Sequence, residues 1–381
     1  MKKILFRKFL LDCMTFFIVA LVSSSIIIWV FQAVNFLDIM IEDGRDFLVY
    51  MNYSLLNFPK IFSKLYPFVL FFSLFYITGK YEQSNELMIF WNFGVNKISI
   101  INFFLKFSII LFFIQITLTA IIVPKSQELA RFFLKDSKVN FFGNFIKKQK
   151  FNDTIRGVTI FSERKDNEGN LYNLYLKKDI DDSNFQITYA KKGQFIDINN
   201  TPILVLYNGE TISQKNNEIT NISFSKSDFV LKSFESNTTT YAKTQEISTL
   251  NLFRCIGIIY NFSFIDKNTI NEKIPNCSIN NIRNILKEFY KRIVIPFYIP
   301  ILTLIPFILL ILSKENVNYN KLKTFTFLIG LTVIIFSETT IRQVSDNIVP
   351  NFQITIIPFC LFVILYLIFL YKFKLLKKHK L

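Results

Sequence analysis

The sequence predicts an α-helical membrane protein with six transmembrane helices, three before and three after an inserted antiparallel β domain. Three observations support this fold class. Of the 381 residues, 51% are hydrophobic and only 19% are charged, whereas about 25% of the residues in a typical soluble domain are charged. The apolar residues cluster into six runs close to or above the roughly 20 residues that cross a bilayer core. Between the third and fourth runs lie roughly 160 residues without another such run.

The first apolar run follows a basic N-terminal segment. It is too long for a secretory signal peptide and has no small-residue cleavage site. The six predicted spans cover residues 10–35, 54–79, 98–123, 293–313, 324–344 and 352–371. They divide the chain into residues 1–124, with three spans and a short cytoplasmic helix at about 82–94, residues 125–290, with the β domain, and residues 291–381, with three spans and a basic tail.

The distribution of Lys and Arg predicts the orientation in the membrane. Residues 1–9, 80–97 and 314–323 and the C-terminal tail are rich in basic residues, whereas loop 35–53 is mainly acidic. Short cytoplasmic loops are enriched in Lys and Arg, so we predict that both termini are cytoplasmic and that the insert is extracytoplasmic. The net charge of +16 is therefore mainly a topology signal and gives no support for nucleic-acid binding.

The insert is predicted to be mostly β-structure, because short segments rich in aromatic and β-branched residues recur in it. Turn signals occur at Asn167–Asn170, Lys192-Gly193 and Asn208-Gly209. This pattern favours an antiparallel sandwich or jellyroll. Residues 125–138 and 278–292 are predicted to be helical. The five predicted strands cover residues 157–161, 171–176, 185–189, 202–207 and 219–224.

Catalytic, metal and cofactor sites are not predicted. The one histidine, His379, lies in the basic tail, which excludes histidine clusters for metals and histidine-based triads. Gly79-Lys80 lacks the preceding glycine of a phosphate-binding loop. We therefore expect a transport subunit without its own ATPase motif, so that energy comes from a separate ATPase or from an ion gradient.

The four cysteines fall into two groups. Cys13 and Cys360 lie inside apolar spans and are interpreted as packing residues. Cys255 and Cys277 lie in the insert, where an oxidising compartment permits a disulfide. Sequence alone does not give the distance between them, so the disulfide is left open.

The loop at 80–97 is predicted to hold a short helix with an acidic start and an apolar face. Ser84 or Asn85 is the expected N-cap, and Gly94 is the expected stop. Such a helix can dock into a groove on a partner or lie flat on lipid; the acidic start favours docking. The candidate coupling residues are Glu82, Glu86, Leu87, Phe90, Trp91 and Gly94.

Charged residues cluster where the spans meet the outer membrane face. Glu288 with Arg292, and Glu338 with Arg342, have the favourable acid-first i,i+4 spacing. Each charge can reach the interface by snorkelling, or together the basic ones can hold phosphate groups. The candidate headgroup ligands are Lys60, Lys64, Arg292 and Arg342.

Several local motifs resemble the lipopolysaccharide export permease family LptF/LptG (YjgP/YjgQ). Thr78-Gly-Lys80, Asn85-Glu-Leu87 and Gly94-Val-Asn96 are similar to its coupling segment. Glu288, Arg292 and Pro296 are similar to the beginning of its fourth span. Residues 187–193 and 204–209 resemble two paired strands of its jellyroll, and residues 161–176, like Thr78-Gly-Lys80, favour the LptF branch.

The resemblance implies a permease subunit of an ATP-driven transporter that extracts lipopolysaccharide from the bacterial inner membrane and passes it to a periplasmic bridge. It implies a periplasmic jellyroll with a groove for acyl chains. The implied partners are a second permease subunit in a heterodimer, a cytoplasmic ATPase dimer, a single-span bridging subunit and a periplasmic bridge protein. The candidate groove residues are Phe185, Ile187, Leu204, Leu206 and Phe224.

Two other classes of transporter remain as alternatives. One is the permease of another ABC-type lipid or lipoprotein exporter, which in its mechanotransmission form has the large outer domain between the first two spans. The other is an ion-coupled lipid flippase, which would need buried acids near the middle of the membrane, and the centres of these spans have none. The chain also departs from the resembled family at residues 32–38, which lack the basic residues frequent there.

Overall fold

The computed structural model describes residues 2–37, 47–136, 149–155, 158–166, 169–181, 184–198, 201–215, 218–230, 243–260, 274 and 276–378. The acidic stretch at 38–46 and His379 lie outside these residues. The chain forms two compact units. The helical unit comprises Met1–Phe31, Leu56–Glu128 and Tyr241–Leu381, and the sheet unit comprises Gln32–Leu55 and Leu129–Thr240. Residues 241–290, assigned to the insert by sequence, thus belong to the helical unit.

The helices follow the predicted order. They are α1 (Lys2–Asn35), α2 (Phe47–Gln83), α3 (Glu86–Asn92), α4 (Lys97–Thr117), α5 (Val123–Asp136), α6 (Thr249–Ile259), α7 (Ile282–Ile293), α8 (Tyr298–Leu304), α9 (Tyr319–Gln343) and α10 (Ile348–Lys378). A π-helical turn, Leu118–Ile122, joins α4 to α5. Both helices predicted at the ends of the insert are present, as α5 and α7.

Six helical segments of the described chain are long and apolar enough to cross a membrane, as predicted. They are Lys3–Asn35, Phe47–Gln83, Lys97–Leu134, Ile279–Ile311, Tyr319–Gln343 and Val349–Phe373. The fourth is the most enclosed by protein, with 78% of its apolar window buried. Short 3₁₀ segments, Ile295–Phe297 and Ile305–Ile311, interrupt it where Pro296 and Pro306 remove backbone donors.

Aromatic rings and one glycine set the packing of the helical unit. Phe104 contacts Phe9, with ring centroids 5.0 Å apart, and Phe307, at 4.8 Å. In a second core cluster, Gly330 of α9 lies against Phe71 of α2. A Cβ at position 330 would come within 2.0 Å of Phe71 Cζ, so only glycine allows this approach.

The sheet unit contains a six-stranded antiparallel sheet whose strands lie side by side in sequence order. The predicted antiparallel sheet is therefore confirmed, and each of the five predicted strands coincides with one of β2–β6. The described strands form a meander, and the crossover connections of a jellyroll are not among them. The strands are β1 (Phe151–Ile155), β2 (Val158–Lys165), β3 (Leu171–Asp181), β4 (Asn184–Ile198), β5 (Thr201–Lys215) and β6 (Glu218–Val230).

Two predicted turns are wrong, because Lys192-Gly193 lies inside β4 and Asn208-Gly209 lies inside β5. The glycines are there for space. A Cβ on Gly193 would lie 2.3 Å from Leu174 Cδ1, and one on Gly209 would lie 2.1 Å from the Tyr189 carbonyl oxygen. The strands therefore continue through both signals and pair along their length, with Ala190 opposite Gly209.

The alternation of side chains between the two faces of the sheet shifts at neighbouring positions in three adjacent strands. Asn173 in β3 and Asn208 in β5 have positive φ angles of 49° and 52°, and the pairing register places Lys191 of β4 between them. In β4, Thr188 and Ala190 are buried, and the next buried residue is Gly193 where regular alternation would place Lys192. This shift keeps a single apolar face on both sides of these positions, where Leu174, Leu176, Leu204 and Leu206 share one core.

Candidate functional site

The predicted helix in the loop after span two is present as α3, Glu86–Asn92. Asn85 occupies the N-cap position with a left-handed φ of 62° and no side-chain cap, while Ser84 Oγ donates to Glu86 Oε1 at 2.9 Å. Gly94 has a φ of 64°, which suits glycine at a helix end and confirms the predicted stop. The helix is shorter than the predicted 82–94, because Glu82 still belongs to α2.

The apolar face of α3 divides into a buried part and an exposed part. Leu87 and Phe90 are only 1% and 2% exposed and belong to the core that also contains Phe9. Met88 and Ile89 are 48% and 45% exposed. Leu87 and Phe90 therefore anchor the helix to its own chain, and a partner would contact Met88 and Ile89.

Polar contacts connect the residues on either side of α3 to the end of span four. Glu82 Oε1 accepts a hydrogen bond of 2.9 Å from the backbone N–H of Lys314, which follows span four. Lys97 donates to the Leu310 carbonyl of span four and lies 5.4 Å from the centroid of the Trp91 ring. These bonds join the coupling segment directly to span four.

A further hydrogen bond connects a residue just before α3 to the first span. The Tyr81 hydroxyl, just before α3, donates to Asp12 Oδ2 on α1. A force on the coupling segment would therefore reach span one as well as span four.

The predicted outer-face lysines lie among further charges. Lys60 Nζ donates to Gln245 Oε1 at 3.1 Å, and Lys64 is exposed. The charged neighbours of Lys60 are Lys64, Lys243, Lys291 and Glu288. The site thus has an excess of positive charge, and this excess includes two lysines that the sequence did not single out.

Arg292 was predicted as a headgroup ligand, but the structure places it inside the protein. Its side chain is 2% exposed and donates from Nε to Glu288 Oε1 at 3.1 Å, which confirms the predicted i,i+4 pair. It also donates to the Ile247 and Gln245 carbonyls, at 2.7 Å and 2.8 Å, and to Thr249 Oγ1 at 3.1 Å. Because its donors bond the protein and its side chain is buried, Arg292 lacks the exposed position expected of a headgroup ligand.

Arg342, the remaining candidate, is exposed at the end of span five. Glu338, one turn earlier, is also exposed, and the two form no ion pair in the structure as described. A lipid anion can therefore reach the Arg342 guanidinium without breaking an existing ion pair.

The disulfide that the sequence left open is present. Cys255 of α6 is bonded to Cys277, with the Cα atoms 5.8 Å apart. Cys255 is buried in a small core with Leu252 and Ile285. The bond thus attaches α6 to the segment that leads into span four.

The five candidate groove residues lie on two different faces of the sheet. Leu204 and Leu206 are fully buried in the apolar face, and Phe224 packs against the same core. Ile187 pairs with Ile212, and Phe185 with Gln214, at positions that alternate with the buried Thr188. These two residues therefore belong to the opposite face.

That opposite face carries a row of aromatic residues, one from each of four strands. Phe151 pairs with Phe161, Phe161 with Tyr175 and Tyr175 with Tyr189. The row lines a shallow cavity of about 590 Å³ together with Glu163 and Asn173. Aromatic pairs of this kind stabilise neighbouring strands.

Comparison with known proteins agrees with this arrangement of spans and sheet. The model of the lipopolysaccharide export system permeases LptF/LptG matches residues 7–372. The chain belongs to the LptF/LptG family. No curated protein matches it. As a family member it is a multi-pass membrane protein of the lipopolysaccharide export permease type, with a sheet domain inserted between spans three and four.

Sequence reasoning missed several residues of these candidate sites. Asp12 and Lys314, which are distant in sequence, bond to Tyr81 and Gln83, and Lys97, just after the coupling segment, donates to Leu310 of span four. Lys243 and Lys291 are 48 positions apart, yet both are neighbours of Lys60. Lys291 carried a signal, a positive charge next to the predicted start of span four, but Lys243 lies far from every predicted span, and spacing alone does not bring two such positions together.

Proposed function

We propose that this chain, of the LptF branch, is a permease subunit of an ATP-driven transporter that extracts lipopolysaccharide from the bacterial inner membrane. Both termini are cytoplasmic, and the sheet domain, a periplasmic jellyroll, passes the lipid to a periplasmic bridge protein. The single observation that carries the proposal is the family match over residues 7–372, and the features below support its separate steps.

The chain has no phosphate-binding loop of its own, so a partner hydrolyses ATP. We assign the contact with this partner to α3. A cytoplasmic ATPase dimer contacts Met88 and Ile89 with the acidic start at Glu86, and Leu87 and Phe90 carry the movement into the core. A groove that receives an apolar helix face is a common mode of partner recognition. The enzymatic step, ATP hydrolysis, belongs to this partner.

The phosphorylated headgroup is held by the basic residues of the helical unit. Lys60, Lys64, Lys243 and Lys291 outnumber Glu288 in their cluster, and Arg342 offers a planar guanidinium suited to bidentate contact with phosphate. Charged residues at a bilayer surface are costly unless they are paired or solvated. An anionic lipid headgroup would supply the missing counter-charge.

The acyl chains lie on the apolar face of the sheet. Phe195, Phe224 and Phe229 are partly buried and provide the contact surface, next to the fully buried Leu204 and Leu206 of the same face. Removing apolar chains from water is favourable in proportion to the area covered. We therefore assign the lipid surface to this face and omit Phe185 and Ile187 from it.

The lipid step is tested by photocrosslinking during ATP-driven turnover of the assembled transporter. A photoreactive amino acid at Phe224, on the apolar face, should capture lipopolysaccharide. The same probe at Ile187, on the opposite face of the same sheet, is the matched control and should not. Equal capture at both positions, or capture at neither, would overturn the assignment.

The energy step is tested by co-purification. Glu86→Lys should release the ATPase by reversing the charge at the start of α3, and Met88→Asp should do the same on its exposed face. Glu315→Lys, in a cytoplasmic loop outside α3, is the control. Retention of the ATPase by both α3 variants would mean that the partner binds elsewhere.

The remaining partners follow from the same proposal: a second permease that completes the heterodimer and a single-span bridging subunit. An exporter of another lipid or of lipoproteins would retain the ATPase but exchange the captured lipid. An ion-coupled flippase would work without the ATPase. The photocrosslinking and co-purification experiments therefore separate all three functions.

A further inference from the structure

Arg292 is at the centre of a polar cluster on the helical unit that the proposed lipid and ATPase sites do not use. Its guanidinium is almost fully buried and donates four hydrogen bonds. Three of them go to the segment 245–249, which is separated from Arg292 by more than 40 positions along the chain. An arginine in this setting holds two parts of the backbone together.

The segment 245–249 lies close to the point where the chain returns to the helical unit. The chain leaves the helical unit after Glu128 and returns at Tyr241. Residues 243–249 are thus the first described residues after the return, and the π-helical turn Leu118–Ile122 comes shortly before the departure. π-Helical turns occur frequently at functional positions of helices.

Direct hydrogen bonds connect these two stretches to each other and to span four. Thr119 Oγ1 donates to the Arg292 carbonyl at 2.9 Å, and Thr249 Oγ1 donates to the Ala120 carbonyl. Thr249 Oγ1 in turn accepts from Arg292 Nη1 at 3.1 Å. Departure, return and span four are therefore joined at one place, which we name the 120–249–292 joint.

The joint also reaches the proposed headgroup site. The Gln245 backbone accepts from Arg292 Nη2 at 2.8 Å, while the Gln245 side chain accepts from Lys60 Nζ at 3.1 Å. The guanidinium therefore fixes the residue that holds the Lys60 ammonium. Lysine at position 292 could not reproduce this, since it lacks the planar fork that reaches several acceptors at once.

We propose that Arg292 is a positioning residue, which makes the chain's departure from and return to the helical unit move with span four and which places Lys60 through Gln245. The proposal rests on the proposed lipid-extraction function. It assigns Arg292 a mechanical role and not contact with the lipid.

The first test measures the joint itself in the full-length chain in membranes. Ala120→Cys with Thr249→Cys, in a background where Cys13 and Cys360 are replaced by alanine, should form a disulfide in high yield. Adding Arg292→Lys should lower that yield at least threefold, whereas adding Arg342→Lys should leave it unchanged. An undiminished yield with Arg292→Lys would overturn the proposal, whether or not the chain exports lipid.

The second test measures ATP-driven extraction of lipopolysaccharide from proteoliposomes that contain the complete transporter. Arg292→Lys should reduce extraction at least fivefold with ATP hydrolysis retained, because one ammonium group cannot reach the Gln245, Ile247 and Thr249 acceptors together. A headgroup ligand would behave in the opposite way, since lysine keeps the charge that a lipid phosphate needs. Full activity of Arg292→Lys would contradict the proposal.

The two tests also distinguish failure of the proposed function from failure of the inference. If the wild-type transporter extracted no lipopolysaccharide, the function would be wrong. The crosslinking yields would still decide whether Arg292 holds the joint.

Discussion

Two glutamate–arginine pairs with the same spacing have opposite surroundings in this protein. Glu288 and Arg292, in the first half of span four, are largely buried and bonded at 3.1 Å, and the arginine also donates to residues 245, 247 and 249. Glu338 and Arg342, at the end of span five, are both exposed and form no ion pair in the structure as described. Identical local spacing therefore leads to a structural tie in one case and to two solvated charges in the other.

The difference comes from what each helix packs against. The face of α7 that carries Arg292 meets the returning segment 243–249, whose backbone carbonyls supply acceptors and exclude water. Among the described residues, no such segment packs on the turn of α9 that carries Arg342. An i,i+4 pair by itself contributes only about 0.2–0.5 kcal/mol on a helix surface, so the tertiary partners decide the role of each arginine.

The largest expected effect is on stability. Arg292→Ala leaves the Gln245 and Ile247 carbonyls without their donor and the Glu288 carboxylate with only Lys291, 3.7 Å away, and breaking a buried pair in this way costs about 3–5 kcal/mol. Arg342→Ala should change the free energy of unfolding by no more than about 0.5 kcal/mol, because surface substitutions usually do. Thermal unfolding of the purified chains in detergent measures both changes. An equal loss of stability in the two variants would mean that the buried pair contributes no more than the exposed one.

Much of the fold could be predicted from sequence because each signal was local. Six apolar runs of sufficient length became six spanning helices, and β-branched segments became β2–β6. The errors also have a local cause. Asn208-Gly209 is a strong turn signal, yet here Gly209 is required because Phe224 and the Tyr189 carbonyl approach too closely for a Cβ.

The candidate sites were less predictable, because their geometry depends on contacts distant in sequence. Periodicity identified α3 and its apolar residues, but it could not tell that Leu87 and Phe90 face the protein's own core while Met88 faces outward. The same limit applies to Arg292: its acceptor Glu288 was predicted from the i,i+4 spacing, but its other acceptors lie 43 to 47 positions away.

A smaller effect is expected from the acidic partners. Glu288→Gln keeps an acceptor for Arg292 Nε but removes the charge that balances the buried guanidinium, and a hydrogen bond to a charged group contributes about 1.5–3 kcal/mol. Glu338→Gln, in the exposed pair, is the matched control and should leave the unfolding temperature unchanged. If Glu288→Gln were equally silent, the acceptors at 245–249 alone would suffice to hold Arg292.

Arg342→Ala should have the smallest effect on stability but a clear effect on the amount of bound lipopolysaccharide. Arg342→Ala removes an exposed guanidinium that holds no protein partner among the described residues, so the fold should be unaffected while lipopolysaccharide retention falls about threefold to tenfold, equivalent to roughly 0.7–1.4 kcal/mol. Co-purified lipid per protein, measured beside Arg342→Lys, checks this expectation. The lysine variant should retain more lipid than the alanine variant, because it keeps the charge although it loses the bidentate geometry. Unchanged retention in both variants would leave the lysines around Lys60 as the headgroup ligands and would reduce Arg342 to a snorkelling residue.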